Sequence, residues 1–273
     1  MYSVNENYFE NIDTSEKSYW FGFIAGDGCI FGKYRCQIEL ANVDYNHLVK
    51  FKNAVEFDGP ILTNGDNFSR LVIYRKQFVK HLISKGLIPH KSKRLSEDII
   101  PFQFKRDFVR GLFDADGCIG IHTSEQKRFI ATFSIAGTLS LMYGISDILS
   151  EITNTKKEPI KDTRADVFSI SYGGRWNVEK IGNYLWNDSS VHLDRKYDIF
   201  KKIEEYNSEN GFRSCPRSFK HYTKDGRGLI ERICCVCRTT FLTRADHANR
   251  PNCGRFCKDC RKYSGKGSRY NAS

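Results

Sequence analysis

Apolar positions along this chain switch between a helical spacing and an alternating, strand-like spacing. The stretch SYWFGFIAG at 18–26 is apolar on nearly all sides, which predicts a buried helix rather than an amphipathic one. Strand patterns follow at 29–43, then a helix at 44–57, a hairpin at 59–74 around an Asn-Gly turn, and a helix at 75–86. This pattern predicts the order helix, two strands, helix, two strands, helix.

The same order occurs again after a connecting stretch at 87–103. The predicted elements are a helix, a hairpin, a helix, a hairpin and two closing helices, at 104–116, 118–136, 139–153, 158–173, 177–186 and 192–206. We therefore expect a duplicated α+β protein, with halves at 1–104 and 105–206 and a third segment at 207–273.

One motif marks the repeat, as WFGFIAGDGCI at 20–30 and as VRGLFDADGCIGI at 109–121. The two copies lie 89 positions apart. Superposition pairs Gly22 with Gly111, Asp27 with Asp116, Gly28 with Gly117, Cys29 with Cys118 and Ile30 with Ile119. Gly22 and Gly26 lie one helical turn apart, so they would leave a smooth strip on which another helix backbone can pack closely.

Asp27 and Asp116 each end a predicted helix immediately before a glycine. The helix dipole places partial negative charge at that end, and two neighbouring carboxylates repel each other unless cations lie between them. Paired carboxylates suit Mg²⁺, which takes one or two carboxylates together with water and phosphate oxygens. Two such ions can activate water and stabilise a leaving oxygen. The alternative is that each Asp-Gly is simply a turn.

Charge is distributed very unevenly along the chain. From position 207 onward there are 15 Lys and Arg against 5 Asp and Glu, a balance of +10 within a total of +11. A nearly neutral body thus carries a basic tail, which favours polyanion binding, with a merely solubilising tail as the alternative.

Seven of the ten cysteines fall between Cys215 and Cys260. The pairs Cys234/Cys237 and Cys257/Cys260 are both CxxC and are separated by 19 residues, which is typical of a four-cysteine site for one structural Zn²⁺. Within this cluster Cys235 competes with Cys234 as a ligand, and Cys253 with Cys257. Cys215 and His221 would hold a second ion, or they are a free thiol and a surface histidine.

No apolar run approaches the roughly 20 residues of a membrane span, and the N-terminus lacks the order of a signal peptide. We expect an intracellular protein with no membrane partner, in the cytoplasm or in an organelle.

LFDADG at 112–117, with its looser copy FIAGDG at 23–28, resembles the motifs of LAGLIDADG homing endonucleases in the monomeric two-motif form. The resemblance covers residues 14–206. It implies two αββαββα halves related by pseudo-twofold symmetry, with two curved sheets forming a saddle over the DNA major groove. It makes Asp27 and Asp116 the ligands of the divalent metals. Ala25 stands where the second copy has Asp114, a position that the resemblance makes structural. The tail resembles small zinc-binding modules appended to nucleases.

Members of that family also carry one basic residue per half near the scissile phosphates. IPHKS and LDRKYDIF resemble those regions, which proposes Lys91 and Lys196 as catalytic residues, with surface lysines as the alternative. Asn42, at the end of the second strand, is a further candidate near the metal, although its repeat partner falls near Gly137.

Outward-facing strand residues would read the DNA, with Arg pairing to guanine and Gln or Asn to adenine. The candidates in the first half are Lys33, Arg35, Gln37, Glu39, Asn64, Asn67, Ser69, Arg70 and Tyr74. Those in the second half are His122, Ser124, Arg128, Thr132, Lys161 and Arg164, and those in the tail are Arg238, Arg244, Arg255 and Arg261. A register slip of one residue would invert the strand assignments.

The sequence thus predicts a monomeric, site-specific endonuclease that makes a staggered, metal-dependent double-strand break in DNA with a long recognition site. The alternative is a non-cutting nucleic-acid binder on the same scaffold, either an intron-RNA maturase or a transcription regulator. Retention of both Asp27 and Asp116 favours the nuclease, because paired acids that face phosphates bring a binder no gain.

Overall fold

A computed structural model describes residues 2–65, 67–123, 129–163, 167–210, 221–224, 227–233 and 240–244. By compactness the chain divides into two units, residues 1–205 and 206–273, and each is described by itself. In the described part of the chain, no helix combines the length and the apolar content needed to cross a membrane.

The first half of the larger unit has the predicted order of elements. They are α1 (Ser15–Gly26), β1 (Gly28–Phe31), β2 (Arg35–Ala41), α2 (Tyr45–Ala54), β3 (Leu62–Asn64), β4 (Phe68–Tyr74) and α3 (Lys76–Ser84). Helix α1 begins where the side chain of Thr14 accepts a hydrogen bond from the backbone N–H of Lys17, so it starts at a capped end.

The second half repeats this order and adds one helix. Its elements are α4 (Lys105–Asp116), β5 (Gly117–Thr123), β6 (Phe129–Gly137), α5 (Leu139–Thr153), β7 (Ile160–Lys161), β8 (Phe168–Gly173), α6 (Arg175–Trp186) and α7 (Asp194–Asn210). The predicted α+β fold with two αββαββα halves is confirmed.

Each half forms a four-stranded antiparallel sheet, in the order β1-β2-β4-β3 and β5-β6-β8-β7. The first hairpin begins in the same way in both sheets: the glycine after the motif aspartate pairs with an isoleucine, Gly28 with Ile38 and Gly117 with Ile135. Burial alternates along β2 and β4, so one face of the sheet packs on the helices and the other is open. Each sheet therefore presents one exposed face.

The glycines of the motif allow α1 and α4 to pack backbone against backbone. A Cβ built on Gly22 would lie 2.2 Å from the carbonyl oxygen of Phe108, and one on Gly111 would lie 1.9 Å from that of Tyr19. No side chain fits into those spaces. The close approach predicted from Gly22 and Gly26 is confirmed, and both helices are buried along most of their length.

The described part of the smaller unit is a three-stranded antiparallel sheet in the order β11-β10-β9. Its strands are β9 (His221–Lys224), β10 (Arg227–Ile233) and β11 (Thr240–Arg244). The four predicted zinc ligands, together with Cys215, Cys235 and Cys253, lie outside the described residues.

Candidate active site

The two predicted aspartates meet where α1 and α4 end. Asp27 follows α1 directly, and Asp116 is the last residue of α4. A Cβ placed on Gly26 would lie 3.0 Å from Oδ2 of Asp116, so the carboxylate of the second motif lies against the backbone of the first. Packing of the helices therefore brings both carboxylates to one place.

The pKa of each of these two carboxyl groups is raised above its ordinary value. Burial, and then the charge of Asp116, raises the pKa of Asp27 to about 6, although Lys196 and Lys91 act in the opposite direction. Burial also raises the pKa of Asp116 against the influence of the same two lysines. The side chain of Asp27 is half-buried and that of Asp116 is exposed. Because the charge of Asp116 disfavours a charged Asp27, a cation bound between the two would relieve that cost.

Lys91 is buried, with 6% of its surface exposed, so it is not the surface lysine of the alternative interpretation. Its Nζ donates hydrogen bonds of 2.6 Å to the carbonyl oxygens of Ala25 and Gly26, at the end of α1. An ammonium group there offsets the negative end of the helix dipole. Lys91 therefore holds the stretch of backbone that immediately precedes Asp27.

Lys196 is the counterpart of Lys91 in the second half and is 2% exposed. Its Nζ donates to the carbonyl oxygens of Phe113 and Asp114, both at 2.7 Å, and of Gly117 at 2.6 Å. Burial lowers the pKa of Lys196 to about 8. Because an ammonium has three N–H groups, Lys196 is fully engaged by α4, whereas Lys91 donates two such bonds and keeps one N–H.

The donor set fits Mg²⁺ better than a metal that needs an all-protein cage. Within the described ranges, no group of three or more His, Cys, Asp or Glu side chains is placed to hold a metal ion. Mg²⁺ commonly uses one or two carboxylates and completes its shell with water and phosphate oxygens. Asp116 and Lys91 also line a cavity of about 200 Å³, which has room for water beside the carboxylates.

Known proteins share little sequence similarity with this chain. No protein-family model matches it. The probable translation initiation factor IF-2 of Methanocaldococcus jannaschii is 22% identical over 200 residues, which make up 69% of this chain and 16% of that protein. The chain thus spans only a small part of the length of this curated relative.

Solved structures are more informative about the fold. The LAGLIDADG homing endonuclease I-GzeII in complex with its DNA target superposes with a TM-score of 0.53 at 10% identity, over 71% of this chain and 90% of that one. A mutant of I-SmaMI gives 0.53 at 13% identity, over 71% and 92%. The LAGLIDADG homing endonuclease I-LtrWI bound to target DNA gives 0.50 at 10% identity, over 72% and 93%. This chain has the LAGLIDADG homing endonuclease fold. The fold implied by the two motifs is confirmed.

In this LAGLIDADG fold, Asp114 lies in a buried network away from solvent. Its Oδ2 accepts hydrogen bonds of 2.8 Å from the Tyr19 hydroxyl and from the backbone N–H of Leu193. Tyr19 also contacts Nε2 of His47 at 2.9 Å, and His47 is the donor because the one tyrosine proton goes to Asp114. Burial lowers the pKa of His47 to about 3, so its ring is neutral. These contacts support the structural role proposed for Asp114.

Asn42 is not brought to the carboxylates. Its Nδ2 donates to the carbonyl oxygen of Gly65 at 3.3 Å, and its Oδ1 accepts from the Ser69 hydroxyl at 2.6 Å. Both ends of the amide thus hold the turn between β3 and β4. Asn42 directly follows β2, and its amide is used within the first sheet.

The register of the LAGLIDADG sheets decides which predicted DNA readers share the exposed face. In the first sheet, Arg35 pairs with Tyr74, Glu39 with Arg70, and Asn64 with Phe68. Members of a pair stand on the same side of a sheet. That face carries the candidates Arg35, Gln37, Glu39, Asn64, Arg70 and Tyr74, and Lys33 lies in the exposed turn between β1 and β2.

The structure corrects the prediction that Ser69 reads DNA, because Ser69 is buried on the opposite face of the sheet from Arg70. Successive residues of a strand point to opposite sides, so both cannot face the DNA. Lys161 is exposed, but it pairs with Phe168 and so does not share the face that carries Ser169 and Ser171. His122 is exposed in β5. Arg128, Arg164, Ser124, Arg238, Arg255 and Arg261 lie outside the described residues, and Arg244 ends β11.

Two features near the carboxylates went unpredicted. Nε of Arg195 donates to both carboxylate oxygens of the buried Asp44 at 3.0 Å, which joins α7 to the end of β2. Phe31 stands on the exposed face beside Arg35. The sequence contains a signal for this placement of Phe31. The glycine at position 32 favours a tight turn, and such a turn places position 31 opposite position 35.

Proposed function

We propose that this chain is a site-specific, metal-dependent DNA endonuclease that makes a staggered double-strand break. The observation that carries the proposal is the pair of carboxylates, Asp27 and Asp116, which meet at the ends of two packed helices where the first strand of each sheet begins. The fold agrees with this proposal, since I-GzeII and I-LtrWI were both solved with DNA targets. Because one chain supplies both motifs, we expect a monomer to be active.

In the proposed reaction, Asp27 and Asp116 would hold Mg²⁺. Mg²⁺ bound there would activate water and stabilise the leaving oxygen. Lys91 and Lys196 keep the helix ends in place and supply positive charge next to the carboxylates. The free N–H of Lys91 can donate to a water in the adjacent cavity. Lys196, with all its donors engaged, acts by position and charge.

A cleavage assay tests the proposal directly. The full chain is incubated with a library of long double-stranded DNA sites, once with Mg²⁺ and once with EDTA. We expect a small set of sites to be cut in both strands, with a stagger, only when Mg²⁺ is present. DNA binding without any cutting would favour the non-cutting binder instead.

Cleavage should depend on pH through Asp27. In the metal-free protein the pKa of Asp27 is about 6, so below that pH a proton competes with Mg²⁺ for the carboxylate. The Mg²⁺ concentration for half-maximal cleavage should therefore increase about tenfold for each pH unit below 6 and stay level above pH 7. Titrations between pH 5 and pH 8 measure it. A level Mg²⁺ requirement across that range would contradict the assignment.

Acid unfolding would not mimic this result. A carboxyl whose pKa is raised on folding destabilises the fold above its folded pKa, so the contribution of Asp27 to stability improves as the pH falls from 6 to 3.8. Circular dichroism over the same pH range is the control.

The basic tail is proposed to extend the contact with DNA. Deleting everything after Asn210 keeps α7 whole and removes the 15 Lys and Arg of the tail. We expect binding at 150 mM salt to weaken about tenfold or more, and the slope of log K against log salt to fall by about 2 or more. Fluorescence anisotropy at several salt concentrations measures both. An unchanged slope would contradict a role for the tail in binding.

We also propose that Cys234, Cys237, Cys257 and Cys260 hold one structural Zn²⁺. Mass spectrometry of the native protein should find about one zinc per chain, since a four-cysteine site of this spacing binds one ion. Cys234→Ser should lose the zinc, and Cys215→Ser should keep it. If Cys235→Ser loses the zinc and Cys234→Ser keeps it, Cys235 is the ligand instead of Cys234.

A further inference from the structure

Three side chains on the exposed face of the first sheet are already assembled into one unit. Phe31 and Arg35 are strand partners across the β1–β2 hairpin, and the guanidinium carbon of Arg35 lies 3.6 Å from the centre of the Phe31 ring. Nη2 of Arg35 donates to Oε1 of Gln37 at 3.3 Å. The guanidinium of Arg35 is thus placed over an aromatic ring and hydrogen-bonded to Gln37, two residues further along the strand.

The chemistry of the contact fixes which atoms of Gln37 remain for a ligand. A guanidinium has only donors, so the amide atom that faces Arg35 must be the oxygen, and the Nε2 hydrogens are left over. Arg35 keeps the Nη1 donors and one hydrogen on Nη2. The unit therefore offers hydrogen-bond donors from both residues, while Arg35 already takes one of the two lone pairs of the Gln37 oxygen.

The same register positions of the second sheet carry no such unit. Gly120 is the repeat partner of Phe31, 89 positions on, and it pairs with Thr132 as Phe31 pairs with Arg35. Ser134 pairs with Cys118 as Gln37 pairs with Cys29. Among the described residues of the two halves, the matching positions thus carry the donor pair in the first sheet and not in the second.

We infer that Phe31, Arg35 and Gln37 form a preorganised base-reading unit that selects guanine in one half-site of the DNA and not at the mirror position of the other. The inference rests on the proposed DNA-binding function. Guanine presents two acceptors, O6 and N7, in the major groove, and an arginine fork matches them. Adenine presents one donor and one acceptor, so it suits a glutamine with both amide atoms free. The oxygen of Gln37 is held towards Arg35, which leaves its Nε2 hydrogens as the better-placed group, so Gln37 favours the acceptors of guanine or thymine over adenine at the neighbouring position.

Preorganisation supports the inference energetically. A free arginine on a strand loses much side-chain entropy when it is fixed on a base. Stacking on Phe31 removes part of that freedom before DNA arrives. Phe31 itself is 42% exposed, so its ring is accessible on the open face of the sheet.

The experiment is a binding selection with the full chain and double-stranded DNA randomised at each position in turn. Ca²⁺ replaces Mg²⁺ as a hard cation for the carboxylates, and bound DNA is sequenced. We expect the wild type to enrich guanine about tenfold at one position, without comparable enrichment at its mirror position. Adenine should be depleted at the position next to that guanine.

Three variants test the parts of the unit. Arg35→Ala should lose the guanine preference at that position alone. Gln37→Glu keeps an oxygen for Arg35 but has no hydrogen to donate, so the neighbouring preference should change towards cytosine or adenine. Phe31→Leu keeps apolar bulk but removes the ring, and it should weaken the guanine preference severalfold. Lys80→Ala, which removes an exposed cation on α3 outside both sheets, is the matched control and should leave both preferences unchanged.

The outcomes are distinguishable. If the wild type enriches DNA but no position shows a guanine preference that Arg35→Ala removes, the inference is overturned and the proposed function stands. A uniform loss of affinity in Arg35→Ala would mean a phosphate contact and would also overturn it. If no DNA is enriched at all, the proposed function fails and the inference fails with it. Thermal unfolding of each variant shows that the fold is intact.

Discussion

Asp27→Asn and Asp116→Asn should each reduce DNA cleavage by about a thousandfold or more and leave DNA binding in Ca²⁺ nearly unchanged. Asparagine has the same shape as aspartate but no charge, so it cannot replace a metal-binding carboxylate. Both strands should be affected, because the two aspartates share one centre. The measurement is the single-turnover rate of each strand with labelled target DNA. Full cleavage by either variant would contradict the active-site assignment.

These substitutions should not destabilise the fold. Burial raises the pKa of both carboxyl groups, so their charged forms are unfavourable in the folded protein at pH 7. A neutral amide removes that penalty, and the melting temperature without metal should increase or stay level. Loss of activity together with unchanged or higher stability separates a functional role from a structural one.

Asp114→Asn is the matched control, since Asp114 is a buried carboxylate only two residues before Asp116. Its Oδ2 accepts from Tyr19 and from the backbone of Leu193, and an asparagine carbonyl oxygen can accept the same bonds. Most of the cleavage activity should therefore remain. A loss as large as that of Asp116→Asn would mean that Asp114 belongs to the catalytic centre.

Local patterns in the sequence were sufficient for the elements and for the paired motif. The apolar surroundings of α1 showed that it is buried, and its glycines showed how closely a second helix can approach. Both signals come from neighbouring residues. Once the two copies of the motif were aligned, the meeting of Asp27 and Asp116 followed from helix packing.

The contacts that local patterns could not predict join distant parts of the chain. Asp44 and Arg195 are 151 positions apart, and neither lies in a motif. Tyr19 and Asp114 are 95 positions apart, and their bond depends on how α1 and α4 are rotated about each other. Sequence spacing carries no information on either pair.

The prediction for Asn42 rests on its place at the end of a strand, but asparagine commonly uses its side chain to hold a nearby turn. The structure shows that use, with Gly65 and Ser69 as partners. Ser69 itself could have been excluded from the sequence, because Arg70 was already placed on the outer face and adjacent strand residues alternate.

Gly111→Ala should destabilise the protein by about 3 kcal/mol, near the upper end of the range for overpacking. The added Cβ would lie 1.9 Å from the carbonyl oxygen of Tyr19 and 2.8 Å from the backbone N of Phe23. Both obstacles are backbone atoms, which cannot rotate away as a side chain can, so α1 and α4 must move apart. The free energy of unfolding from urea denaturation measures the effect. Gly173→Ala is the control, because a Cβ there meets no atom within 4 Å and its cost should stay within about 0.5 kcal/mol.

The same substitution should impair cleavage beyond its effect on stability. Asp27 and Asp116 are placed by the ends of α1 and α4, so separating the helices separates the carboxylates. A displacement of about 1 Å at a reacting centre can cost roughly a hundredfold in rate. Assayed at low temperature, where the variant is still folded, Gly111→Ala should cut at about a hundredth of the wild-type rate. Wild-type cleavage by a folded but destabilised Gly111→Ala would mean that the helix spacing does not set the geometry of the site.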